Sequence, residues 1–226
     1  MKKILSAALA ALMALSLTAC SGNSSSGSSA REFTSAELSQ ILSTAISEHS
    51  ESGAEVITAD SLSAATDWLT ENKGMSADEA AAFMDEYEVL PYEDIEATLT
   101  EKGFTADEIT AFQSAESSAR SAQMIFDTLG LSASDLDAGA LSISLINIRA
   151  YGMAILKPAE GKEDTVLSAC QSFVELQQKN FETYLQDQYA IAKNAKCETV
   201  NGYVVMVMGD GSDDVFQAVS DALNAQ

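Results

Sequence analysis

The chain has 226 residues, with 34 acidic against 12 basic side chains, a formal net charge of −22 and 46% hydrophobic residues. That length supports a real core, and the mix of apolar and charged residues is that of a folded chain. So few basic groups cannot assemble the phosphate-binding surface that a nucleic-acid partner needs, and a single histidine excludes multi-histidine metal centres.

Lys2 and Lys3 precede an apolar stretch from Ile4 to Leu17. It is too short for a mature membrane-spanning helix and fits the hydrophobic segment of a signal peptide. The segment ends in Leu17-Thr18-Ala19-Cys20, which resembles the lipobox of bacterial lipoproteins. The resemblance implies a signal peptide over residues 1–19, cleavage before Cys20 and transfer of a diacylglyceryl group, carrying fatty acids such as palmitate, to the Cys20 thiol. Two or more acyl chains on one cysteine give stable membrane anchoring, whereas one chain is marginal. Residues 20–32 continue as a Ser/Gly-rich tether with too little apolar area to offset ordering entropy and a reach of about 15–20 Å.

Residues 33–129 read as an all-helical module. Thr34 with Glu37 forms a capping-box pattern, and Leu38, Ile41, Leu42 and Ala45 mark one apolar face. A second helix starts near Ser61 and runs towards Lys73, and Pro91 opens another that carries Tyr92, Ile95 and Leu99. Lys73-Gly74-Met75-Ser76-Ala77-Asp78-Glu79 with Phe83 repeats as Lys102-Gly103-Phe104-Thr105-Ala106-Asp107-Glu108 with Phe112, and Gly130 to Asp135 is a fainter third echo. Glycine can end a helix in the left-handed conformation, and Ser or Thr then caps the next, so the repeat reads as a recurrent helix junction. A long helix after Thr105 is stopped by Gly130.

Residues 130–226 change character. Ile143 to Leu156 reads as one strand with a bulge at Gly152, and Lys157 to Gly161 as a turn. A long helix follows with Val166, Cys170, Phe173, Val174, Phe181 and Leu185 inward. Asn201-Gly202 between two strand-like runs predicts a two-residue hairpin, and Val215, Ala218, Val219 and Ala222 mark a closing helix. The expected class is therefore α+β. The helical module precedes a small β-α-β-β-α layer domain whose three-stranded, or slightly larger, sheet is covered by two helices.

The run Ile146-Asn147-Ile148-Arg149-Ala150-Tyr151-Gly152-Met153-Ala154-Ile155-Leu156-Lys157-Pro158 resembles a signature of a lipoprotein family of unknown function from Gram-positive, Firmicutes-type bacteria. So do Phe181 to Tyr189 and the strand pair around Asn201-Gly202. The resemblance spans about residues 128–226, behind the lipobox. It implies a compartment and a domain fold, and brings no assigned activity or site residues.

The catalytic inventory is thin. His49 follows Ala45 on the first helix with no nucleophile nearby, and no phosphate loop, His-Glu-x-x-His or Cys-x-x-Cys occurs. Cys170 and Cys197 both fall on inward faces, either as a disulfide or as buried thiols. The acids at 85–88, 93–94 and 210–214 lack a calcium-loop pattern, and several sit at helix starts. No metal or cofactor is expected. The function expected is that of a membrane-anchored, outward-facing envelope protein that binds an envelope protein or a ligand without catalysis. A carboxylate-based hydrolase of cell-wall or dietary glycan and a structural accessory of a membrane complex are the alternatives. Residues 31–140 carry 23 acids and 4 bases, and residues 141–226 carry 11 and 6, so the acidity belongs mainly to the helical part.

Overall fold

The helix junctions form where the capping residues stand, as seen in a computed structural model that describes residues 31–226 except Ser52, Asn147 and Gln226. The side chains of Thr34, Ser76 and Thr105 each accept a hydrogen bond from the amide three residues on. Glu37, Glu79 and Glu108 return the bond to the cap backbone. These boxes open α1 (Ser35–His49), α3 (Ala77–Glu88) and α5 (Ala106–Leu129), and each satisfies amides that a helix start leaves unpaired. Helix α2 (Ala64–Lys73) stops at Gly74 and α5 at Gly130, both at φ +68. The region predicted to begin helically at Ser61 starts as a 3-10 turn over Ala59–Ser63. Pro91 leads into another, Tyr92–Asp94, before α4 (Ile95–Glu101).

The two halves of the repeat pack face to face. Phe83, Phe104 and Phe112, with Leu69, Leu99 and Tyr87, form a core of their own. The junction lysines are exchanged across it. Lys73 Nζ lies 4.4 Å from the Phe104 ring centroid and 3.2 Å from Glu108, while Lys102 Nζ lies 5.2 Å from the Phe83 ring and 2.8 Å from Glu86. Each half thus places its cation on an aromatic ring of the other.

A five-stranded antiparallel sheet occupies the rest, in the order β1-β2-β3-β5-β4. Its strands are β1 (Ile57–Thr58), β2 (Leu136–Ile143), β3 (Gly152–Pro158), β4 (Lys196–Val200) and β5 (Tyr203–Met208). The expected class, α+β, stands, but several details of the expectation are corrected. The sheet has five strands, where three or slightly more are expected. The stretch from Ile143 to Leu156 is not one strand. It is the end of β2, a loop over 144–151 and the start of β3, with Ile143 paired to Gly152. The register shift falls between Leu136 and Ala138, and Gly152 is a close-approach position whose added Cβ would stand 2.7 Å from Phe173.

Both faces of the sheet are covered, and by more than the two helices expected. The first face carries Leu141, Ala154, Leu156, Val204 and Met206. It packs on α6 (Glu163–Phe181), on α7 (Gln186–Lys193) and on the C-terminal half of α5. The second face carries Ala140, Met153, Ile155, Tyr203, Val205 and Val207, and packs on α1 and α8 (Ser212–Asn224). Strand alternation sends neighbouring residues to opposite faces, which is why near-continuous apolar runs here mean burial on both sides. Helix α1 therefore leaves the helical module to cover the sheet, and α5 joins both cores, so residues 31–226 pack as one unit. The long helix expected to include Leu185 ends at Phe181, and Leu185 leads into α7. At the β4–β5 turn Asn201 and Gly202 take φ of 49 and 81, the backbone that a two-residue hairpin requires.

Candidate functional site

The lipobox residues Leu17, Thr18, Ala19 and Cys20 lie outside the described residues. Among those described, chain-distant residues meet where the chain enters the sheet. The amide of Phe33 donates to the buried Tyr203 hydroxyl at 2.9 Å, and the two rings meet edge-on at 5.9 Å. Ser35 Oγ accepts from the Gly139 amide at 3.2 Å and donates to Asp60 at 2.8 Å. Lys157 Nζ lies 5.2 Å from the Tyr203 ring centroid. Phe33, Ser35, Asp60, Lys157 and Tyr203, with Glu32 and Asp137, line a cleft of about 400 Å³. Three carboxylates and one amine share it, so it can hold a small polar or cationic group. An acid–base pair for glycan cleavage needs one carboxyl held protonated by an apolar wall. In this cleft Asp60 is fixed by a serine and Asp137 faces solvent at the irregularity of β2.

The carboxyls whose pKa is displaced among the described residues all move down. The Ser132 hydroxyl, then Lys162 and the Ser132 amide, hold Asp135 at about 2. Backbone capping bonds also lower Glu37, Glu79 and Glu108 from the ordinary carboxylate range, and the Lys102 amine lowers Glu86. Asp135 is the acid of the third echo of the repeat. It accepts from Ser132 Oγ at 2.7 Å, pairs with Lys162 at 2.9 Å, and its carbonyl accepts from Ala159. It ties the end of α5 to the β3–α6 turn. Replacing Asp135 with Asn is expected to lower stability by about 1–2 kcal/mol at neutral pH. The folded pKa lies below the unfolded one, so this contribution is present above about pH 4 and fades as pH falls towards 2. Urea titrations of wild type and variant at pH 7 and near pH 2.5 check this: the deficit narrows in acid, and an equal deficit at both would rule the carboxylate out.

The loop over 144–151 presents a different surface. Leu145, Ile146 and Ile148 are 42%, 64% and 64% exposed, although their sequence pattern reads as buried strand. The loop is not loosely hung. Its Ala150 amide donates to Gln188 of α7 at 2.9 Å, and Tyr151 shares a 2.9 Å hydrogen bond with Ser142. Arg149 stands beside the Tyr151 ring. The loop thus carries an apolar tip on a fixed base.

Cys170 and Cys197 are both free thiols. Cys170 is fully buried on α6, and Cys197 is half-buried on the edge strand β4. Both belong to the α6-facing core, Cys170 inside it and Cys197 packed against it from β4, the strand that α6 touches. His49 is exposed beside Glu48 at the end of α1. Of the acidic clusters, Asp213 pairs with Lys196 at 2.9 Å and Glu86 with Lys102. No group of three or more His, Cys, Asp or Glu among the described residues is placed to hold a metal ion. The cleft at Tyr203 escaped sequence reading because its residues are scattered from 32 to 203; the one local signal was a charged Asp137 interrupting an apolar run.

Residues 111–209 match the family described as Domain of unknown function (DUF4358). No curated protein and no solved structure matches the chain. The matched stretch begins inside α5, takes in β2, β3, α6, α7, β4 and β5, and stops before α8. It contains the exposed loop and both cysteines. Helices α1 and α8, which cover the second face of the sheet, lie outside it.

Proposed function

We propose that this chain is a lipid-anchored protein of the cell envelope whose folded body acts by binding, with the loop between β2 and β3 as its contact surface. The observation that carries the binding reading is the concentration of Leu145, Ile146 and Ile148, all exposed, on one anchored loop inside the matched domain. Side chains of this kind, grouped and held, are kept in water at a cost of about 1–2 kcal/mol each unless something covers them. The anchoring reading rests on Lys2, Lys3, the apolar stretch and the Leu17-Thr18-Ala19-Cys20 motif. No described helix is long and apolar enough to cross a membrane. A glycan hydrolase has less support, because the displaced carboxyls are shifted towards permanent ionisation and not towards a proton donor.

One experiment tests both parts. Intact cells expressing the full chain are labelled with a fatty-acid analogue and then crosslinked. Wild type is expected to carry label and to capture a defined partner. Cys20→Ser should lose the label, and Ile146→Asp with Ile148→Asp should keep label and fold but lose the capture. Label that persists in Cys20→Ser would sink the anchor, and capture unchanged by the loop variant would sink the contact surface.

A further inference from the structure

We propose that Cys170 and Cys197 form a reversible dithiol–disulfide site, in which Cys197 attacks a disulfide oxidant and Cys170 resolves the product. The sheet register carries the geometry. Cys197 of β4 is paired with Met206 of β5, and directly paired residues on neighbouring strands point to the same face. Met206 belongs to the core that faces α6, the core that also holds Cys170, Phe173 and Val174. Cys197 packs against that same core from the sheet's edge, and α6 contacts β4 directly, so a helix and a strand bring the two cysteines into one layer of the core. Their residues are joined by no local motif, and the approach is tertiary.

The two thiols are not equivalent. Cys170 has no exposed surface, whereas Cys197 is half-buried on a strand whose other side is the sheet edge. The neighbouring Cys170 thiol pulls Cys197 below the ordinary thiol range, against burial and the nearby Glu198. The same contact, with burial, pushes Cys170 well up. The accessible sulfur is thus the one that ionises first, and the buried sulfur keeps its proton until a partner sulfur is bonded beside it. Lys196, next to Cys197, is engaged by Asp213.

The reaction balances without a cofactor. The Cys197 thiolate attacks one sulfur of a small-molecule disulfide, forming a mixed disulfide and expelling one thiolate. Cys170 then gives up its proton and its sulfur attacks Cys197 Sγ, expelling the second thiolate. Two protein thiols are oxidised to one disulfide, and the oxidant is reduced to two thiols, with two protons passing to the products. The bridge would fasten the edge strand β4 to α6 and close a loop of about 28 residues, which constrains the unfolded chain.

The test uses the full chain with oxidised glutathione as the probe, read by peptide mapping so that Cys20 does not interfere. Wild type is expected to yield a linked Cys170–Cys197 peptide, and its Tm to rise by about 5–10 °C and fall back on reduction. Cys170→Ala, which keeps the buried site apolar, should stall with one stable glutathione adduct on Cys197. Cys197→Ser should remain unmodified at Cys170. Two free thiols in oxidised wild type would overturn the site. An adduct on Cys170, or no adduct on Cys197 in the Cys170→Ala chain, would overturn the order of attack.

Discussion

Replacing Phe112 with alanine is expected to lower stability by about 3–5 kcal/mol, the range for removing a buried aromatic ring from a packed core. Phe112 has no exposed surface. Its ring centroid lies 5.6 Å from Trp68, 5.8 Å from Phe83, 5.1 Å from Tyr87 and 5.8 Å from Phe104. Three of these four contacts are edge-on, the arrangement in which the ring's positive edge meets a negative face, and each such pair adds about 0.5–1.5 kcal/mol beyond its buried area. From α5 the Phe112 ring thus meets α2, α3 and the junction before α5 at once. Trp68 is the only tryptophan in the chain, so its fluorescence reports this core directly. In urea the Trp68 transition of the variant should move to clearly lower concentration, and Phe112→Leu should recover part of the loss. A midpoint within experimental error of wild type would show that the aromatic cluster is not what holds the repeat together.

The second large effect is expected at Gly211. Its backbone has φ +71, and a Cβ built there would stand 2.0 Å from the carbonyl oxygen of His49. The left-handed conformation alone costs an L-residue about 1–2 kcal/mol. The clash adds to this, because the obstructing atom is backbone at the end of α1 and cannot swing aside as a side-chain tip would. Relief requires α1 and α8 to separate, and these two helices cover one whole face of the sheet. Gly211→Ala is therefore expected to cost about 3 kcal/mol or more, enough to place it among the severe substitutions. Gly161→Ala supplies the comparison. Gly161 has φ +76 with nothing within 4 Å of its Cβ position, so only the conformational part remains. Thermal melts of both variants separate the two terms. Equal losses would mean that the α1–α8 contact yields without strain.

How much of this could be read in the sequence follows from the range of the forces involved. Caps at Thr34, Ser76 and Thr105 act within four residues, so their helices and the glycine stops at Gly74 and Gly130 were legible. The Asn201-Gly202 hairpin was legible for the same reason. Strand β1 was not, since two residues carry no period. The loop of Leu145, Ile146 and Ile148 was mistaken for strand because an apolar run signals burial, and nothing local distinguishes a buried strand from an apolar tip held in water. Helix α1 shows an apolar face, but the sequence does not say whether that face meets helices or a sheet. The faces of Cys170 and Cys197 were legible from periodicity, whereas their meeting depends on β4 pairing with β5 at the sheet's edge. The cleft around Tyr203 depends on five separate segments and left almost no local trace.

The exchange of Lys73 and Lys102 has a consequence for how the duplicated segment can fold. A repeat whose copies each closed their own core could gain or lose a copy and leave the remainder intact. Here the first copy's lysine seats on Phe104 and Glu108, and the second copy's lysine on Phe83 and Glu86. Neither copy completes its aromatic box from its own residues. The pair forms a clasp with two interlocking halves, in which each half adds its lysine contacts to the stability of the other. Cooperativity is built into this region by reciprocity, although its junctions are local and repetitive.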